Sequence, residues 1–198
     1  NEIIPCVILA GGKGRRMGGK EKGLINLLDR PLISYVLEKV SGKAAPIALN
    51  INTNFEKFKN FGYEILEDPL KGHLGPLVGI LASLNWAKNI RQKWVLTLPC
   101  DTPFLPQNLI ESLLKVKNEN PDLDLVVAKS RGFNHPVIAL WKTDNNLILK
   151  KAIEEGIRKI DIFTSQLKTA HVNFDEIDES KSDPVSYTHL RAHETALD

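Results

Sequence analysis

Six short runs of aliphatic and β-branched residues recur along the chain: IIPCVILA (3–10), PIALNIN (46–52), YEILE (63–67), KWVLTLP (93–99), LDLVVA (123–128) and PVIALW (136–141). A strand with one wetted face alternates apolar and polar residues, whereas a run that is apolar throughout has to be covered on both sides. Segments with the spacing of amphipathic helices separate these runs. One is 31–43, where Leu32, Val36 and Val40 form a stripe and Pro31 suits the first helical position. The others are 75–88, 106–117 and 144–155, the last closed by Gly156. Strands alternating with helices predict an α/β fold: a doubly wound, mostly parallel, Rossmann-like sheet with helices on both faces. Such sheets bind ligands at the carboxyl ends of their strands.

The chain has 198 residues and shows no internal repeat or linker, so it reads as one domain over 1–182. A domain of that size buries roughly 70% of its unfolded surface and needs no staples. Cys6 and Cys100 lie inside apolar runs, as buried thiols do in a reducing compartment. The net charge is only +2, so no overall basic character argues for nucleic acid. No apolar run reaches the ~18 residues that would argue for a membrane span, and no secretory leader is evident. The expectation is a cytoplasmic protein, a monomer or weak oligomer, with neither nucleic acid nor membrane as partner. Residues 183–198, DPVSYTHLRAHETALD, have no periodicity and read as a non-native or disordered tail. His189 and His193 within it have no third ligand nearby. Removing the tail is expected to leave the melting temperature almost unchanged, because it has no apolar face to bury. A loss of several degrees in a thermal melt would show that it packs on the domain.

Charge is concentrated in one place. The first apolar run leads into VILAGGKGRRMGGKEKGL (7–24), with six glycines and the cations Lys13, Arg15, Arg16, Lys20 and Lys22. The dinucleotide fingerprint G-x-G-x-x-G fails, because Met17 stands where the third glycine belongs. A P-loop, G-x-x-x-x-G-K-[ST], matches from Gly14 to Lys20 and fails at Glu21, where the magnesium-binding hydroxyl should be. The motifs that accompany a kinase glycine loop are absent. What remains is a glycine-rich turn whose backbone N–H groups can face an anion, surrounded by enough positive charge for a triphosphate. The alternative is a solvated basic surface loop.

The other strand ends offer polar residues to the same edge. The second strand is expected to end at Asn50, with Asn52 after it, and Asn50 suits a base, a ribose or a turn. Asp68 precedes Pro69 and suits a guanine edge or turn initiation. Gly75-Pro76 opens a helix whose N–H groups can face a phosphate or base. Asp101 follows the fourth run, where a hard carboxylate suits magnesium and, in the alternative, caps the turn DTPF.

Taken together, LAGGKGRRMGGKEKGL, GPLVG, PCDTPFLP and HPVIALW resemble the molybdenum cofactor guanylyltransferases, the molybdopterin-guanine dinucleotide synthesis protein A family, over about 4–174. The resemblance implies a magnesium-dependent reaction in which GTP and molybdenum-loaded molybdopterin give the guanine dinucleotide cofactor and pyrophosphate. It implies that Leu9, Ala10, Gly11, Gly12 and Lys13 run along the nucleotide, and that Lys22, Asn50, Asp68 and Asp101 contact GTP. It puts Asp101 on the metal, Arg16 near the triphosphate, and Arg16, Lys22 and Asp101 at the catalytic centre. Proteins that deliver molybdopterin or receive the finished cofactor are implied partners. Arg131, His135, Arg158 and Lys159 are candidates for the anionic pterin, with surface roles as the alternative. The likeness fades after Phe174, and the family's N-x-N-T-P-E segment is not found beyond it.

Three rivals stand beside this expectation. Cytidylyltransferases for the same pterin usually show L-A-A-G where this chain has Leu9-Ala10-Gly11-Gly12, and the methyl missing here leaves room for a purine edge. Sugar-nucleotide synthases usually carry L-x-P-L-T after the loop arginine, where this chain has Met17-Gly18-Gly19. A non-catalytic GTP-binding module that kept the fold is the third.

Overall fold

The computed structural model describes residues 2–11, 16–17, 20–72 and 74–174, and of Arg16, Met17 and Lys20 it describes the backbone alone. The expected tail and the domain limit at 182 lie outside the described residues.

The first strand, β1 (Ile4–Leu9), is fully buried, as its unbroken apolar run requires. Beyond it come two small antiparallel pairs, β2 (Arg16–Met17) with β3 (Lys20–Glu21) and β4 (Asn26–Leu27) with β5 (Arg30–Pro31). A single 3-10 turn, Lys22–Leu24, joins the pairs, so no helix follows the glycine-rich loop directly. Helix α1 (Leu32–Val40) buries the predicted stripe. Pro31 is extended at ψ 145° and caps the helix instead of entering it, one residue before the expected place.

Next are β6 (Ala44–Asn50), the short α2 (Phe55–Lys59), β7 (Glu64–Leu66), α3 (Leu77–Asn89) and β8 (Trp94–Pro99). They are followed by α4 (Leu109–Glu119), β9 (Leu125–Ser130), β10 (Phe133–Lys142), α5 (Asn146–Glu154), α6 (Ile160–Thr164) and β11 (Thr169–Asn173). The main sheet has seven strands in the order β11-β9-β10-β8-β1-β6-β7.

All neighbouring strands are parallel except β10, which runs antiparallel to both β8 and β9. The expected doubly wound, mostly parallel sheet is borne out, and β10 is its exception. Only Arg131 and Gly132 connect β9 to β10, with φ of 48° and 79°. A parallel return needs a crossover of a dozen residues or more, so a connection this short forces a hairpin.

The alternation of side chains divides the core in two. Cys6 and Ile8 of β1 face one layer, where Val36 of α1, Phe58 of α2 and Leu113 of α4 pack. Val7 and Leu9 face the other, where Leu81 of α3, Leu149 of α5 and Phe163 of α6 pack. Both cysteines are buried, and neither forms a disulfide. Burial pushes the Cys6 thiol well above its ordinary range, so it stays protonated. Among the described residues, no helix is long and apolar enough to cross a membrane.

Candidate active site

The strand order reverses at β1. From β1 the chain moves outward through β6 and β7, then returns to the opposite side through β8. A crevice opens where neighbouring connections leave in opposite directions, here beyond the carboxyl ends of β1 and β8. Leu9 lies level with Asn50 on one side and Pro99 on the other. Ala10 donates its N–H to the Asn50 carbonyl at 3.0 Å, and Cys100 donates to the Leu9 carbonyl at 3.2 Å. The ladder therefore extends past the strands, and Gly11, Asn52 and Asp101 follow it at one edge.

Asn50 is only 2% exposed and fully engaged through its amide nitrogen. Nδ2 donates to Asp68 Oδ1 at 2.9 Å and to the Leu66 carbonyl at 3.1 Å. Its oxygen points toward α3, where a Cβ on Gly79 would come within 2.6 Å of Asn50 Oδ1. Glycine at 79 thus lets the first turn of α3 close onto the end of β6. Asn52 adds a second clasp, its Oδ1 accepting the Asp68 N–H at 2.8 Å. Its Nδ2 presses on Gly11 so closely that a Cβ there would collide with it, and Asn50 Oδ1 would lie 3.1 Å from the same Cβ. The space beside Gly11, expected to admit a purine edge, is occupied by the protein's own asparagines.

The basic side of the crevice is tied down in two places. Glu21 is 7% exposed, and its Oε1 accepts from Thr53 Oγ1 at 3.0 Å and Asn54 Nδ2 at 2.8 Å. The carboxylate that spoils the P-loop pattern thus fastens the end of β3 to the segment after β6. Gly23 is buried against Cys100, where a Cβ would meet Sγ at 3.1 Å. Lys22 precedes Gly23 and Asp101 follows Cys100, so this contact brings Lys22 and Asp101 into one neighbourhood. Asp101 is 2% exposed, at the base of a turn held by the Thr102 hydroxyl donating to the Pro99 carbonyl at 3.3 Å.

Leu9, Ala10, Gly11, Lys22, Asn50, Asp68 and Asp101 therefore gather at the carboxyl edge of the central strands. Gly12, Lys13 and the Arg16 side chain lie outside the described residues. The pterin candidates sit elsewhere along that edge. Arg131 is at the β9–β10 tip, and the His135 ring nitrogen Nε2 shares a hydrogen bond of 2.5 Å with Ser130 Oγ. Arg158 donates from one guanidinium nitrogen to the carbonyls of Ile153 at 2.7 Å and Ile157 at 3.0 Å, closing the end of α5. Its own carbonyl touches the turn before α3, 3.3 Å from where a Cβ of Gly75 would sit. Lys159, next in the chain, is the N-cap of α6. Sequence reasoning passed over Glu21, Asn52 and Gly79 as site residues. Gly79 left a mark as the last glycine of GPLVG, and Glu21 as the residue that breaks the P-loop pattern.

Residues 6–167 match the family model of the MobA-like NTP transferase domain. The chain belongs to this family. A molybdenum cofactor guanylyltransferase from Rhodopseudomonas palustris (strain BisB5) is 38% identical over 173 residues, covering 86% of this chain and 82% of the relative. A protein of the same name from Shewanella sediminis (strain HAW-EB3) is 35% identical over 173 residues, covering 87% and 86%. Among solved structures, molybdopterin-guanine dinucleotide biosynthesis protein A from Archaeoglobus fulgidus superposes with a TM-score of 0.71 at 26% identity, over 98% of each chain. A CMP:2-keto-3-deoxy-manno-octonic acid synthetase complexed with CTP superposes at 0.66 with 11% identity, a likeness of fold alone. The resemblance drawn from the motifs is borne out: the chain is a nucleotidyltransferase of the MobA-like family.

Proposed function

We propose that this chain transfers GMP from GTP to molybdopterin carrying molybdenum, forming the guanine dinucleotide cofactor and releasing pyrophosphate. The convergence of the Gly11 loop, the Asn50–Asp68 pair and the Lys22–Asp101 neighbourhood on one strand edge is the observation that carries it. The names of the relatives support the choice of substrates.

A terminal phosphate oxygen of the pterin attacks the α-phosphorus of GTP in line. A new P–O bond forms as the bond to pyrophosphate breaks. Little covalent work falls to the protein, so positioning and charge stabilisation supply the rate. Asp68, held by two asparagines, faces the donors on a guanine edge. The glycine-rich turn lets the backbone approach the phosphates. Lys22, with Lys13 and Arg16 of the same loop, holds the triphosphate charge.

Asp101 is the metal ligand. A buried carboxylate beside a phosphate site would suit a hard cation such as magnesium. The cation it would hold would supply positive charge against the negative charge that develops on the phosphates. Arg131 and His135 lie on the β9–β10 side, across β8 from the guanine half, and Arg158 and Lys159 lie by the turn before α3. These four residues receive the anionic pterin. The reaction's chemistry also calls for a protein that supplies molybdopterin and one that accepts the finished cofactor.

With magnesium present, GTP at ~100 times its dissociation constant is expected to stabilise the protein by about 2.7 kcal/mol, and CTP far less. Thermal melts across a nucleotide panel measure this, and equal shifts from CTP and GTP would reject the guanine assignment. Pyrophosphate release on addition of pterin separates catalysis from binding.

A further inference from the structure

Asn52 belongs to no motif, lies two residues beyond the end of β6, and yet touches two other strand ends. Its Oδ1 accepts the Asp68 N–H at 2.8 Å. Its Nδ2 occupies the space that a Cβ on Gly11 would need. Asn50 approaches the same aspartate from the other end, donating to Oδ1 at 2.9 Å. Asp68 is therefore gripped twice, at its backbone by Asn52 and at one carboxylate oxygen by Asn50. The turn that holds it, Glu67 to Leu70, belongs to no helix or strand. These bonds fix the Asp68 backbone at one point and one of its carboxylate oxygens at another.

We infer that Asn52 is a positioning residue for base selection: it couples the Gly11 turn to Asp68, and it is the reason residue 11 is glycine. This rests on the assignment of Asp68 to the guanine edge. A carboxylate distinguishes guanine by accepting from two neighbouring donors, the ring N–H and the 2-amino group. That two-point match depends on the direction of both oxygens, and a few tenths of an ångström at the Asp68 backbone rotate the pair. Few side chains fill the role of Asn52. A valine or leucine cannot accept the Asp68 N–H. A serine is too short to span from that N–H to Gly11. An aspartate accepts the bond but sets a second carboxylate beside the first.

The test is a double-mutant cycle of Gly11→Ala and Asn52→Ala, with affinities for GTP and for inosine triphosphate, which lacks the 2-amino group. Both are measured by calorimetry with magnesium, beside a urea melt. Asn52→Ala is expected to fold, to bind GTP about tenfold more weakly, and to lose most of its preference for GTP over inosine triphosphate. Gly11→Ala alone is expected to cost about tenfold in GTP affinity through overpacking. In the Asn52→Ala background the same substitution should cost clearly less, because the collision with the Asn52 amide is gone and only the approach of Asn50 Oδ1 at 3.1 Å remains. Asn52→Asp keeps the size and the acceptor. Its added charge repels both nucleotides alike, so their ratio should stay nearer the native value than in Asn52→Ala.

Two results would overturn the inference: a native GTP-to-inosine ratio in Asn52→Ala, or an undiminished Gly11→Ala penalty in that background. Asp68→Asn serves as the reference. If it leaves the ratio unchanged, the base assignment itself fails, and the role of Asn52 in base selection falls with it. If it changes the ratio while Asn52→Ala does not, only the role of Asn52 is rejected.

Discussion

Asp101→Asn is expected to fold normally and to lose turnover on the order of 10²-fold or more, the scale of removing one preorganised electrostatic contact. Asp101 is 2% exposed, at a turn whose shape depends on Thr102 and on the Cys100 N–H bonded to Leu9. Asparagine has the same size, and its side-chain oxygen still accepts from a backbone N–H. A capping role would survive at a cost of a few tenths of a kcal/mol. What disappears is the negative charge, and a hard divalent cation selects a carboxylate over an amide. Without the cation, the triphosphate repels the incoming phosphate oxygen. Residual GTP binding through Lys22 and the basic loop should persist. Pyrophosphate release at several magnesium concentrations, beside a urea melt, checks this. Native turnover in the variant would remove Asp101 from the site, and an unfolded variant would return it to a structural role.

Trp141→Ala is expected to destabilise the protein by about 3–5 kcal/mol, the range for deleting a large aromatic side chain from a packed core. Trp141 is fully buried in β10, opposite Val95 of β8 and Leu125 of β9. Its indole N–H donates to Thr97 Oγ1 at 2.9 Å, and the Thr97 hydroxyl donates in turn to the Val137 carbonyl at 3.0 Å. Alanine leaves a cavity and takes away the donor that Thr97 accepts from. Domains of this kind are stable by only about 5–15 kcal/mol, so much of the margin would go. Denaturation by urea measures the effect, and a loss below ~1 kcal/mol would contradict the packing described. Because Asp101 follows two residues after the end of β8, saturating GTP and magnesium should restore part of the stability by mass action.

These expectations draw unequally on sequence and structure. The central strands were legible because a strand covered on both faces has to be apolar almost throughout, as β1 is and as β8 is but for Thr97. Helices α1, α4 and α5 were legible through their stripes, and α3, buried nearly all round, through its length, each to within a residue or three at its ends. The edge strand β11 was not, because TAHVN has only Ala170 and Val172 as apolar residues. Helices α2 and α6 span five residues each, too few for a 3.6-residue period to show. The reversed direction of β10 was also missed, since an apolar run reads the same both ways. The two-residue connection at Arg131 and Gly132 held that information.

By itself the sequence determined the layered α/β fold, the basic glycine turn at the first strand end, and the polar residues at the ends of the strands after it. Local pattern is enough for these, because burial and backbone conformation act on residues near one another in the chain. The tertiary structure alone decided which of them meet. Glu21 finds Thr53 and Asn54, Gly23 finds Cys100, Gly79 finds Asn50, and Asn52 joins Gly11 to Asp68. Each pairing closes a long stretch of chain and exists only because the parallel sheet sets distant strand ends side by side. Hydrogen bonds and steric limits of a few ångströms then act between residues that no sequence window contains.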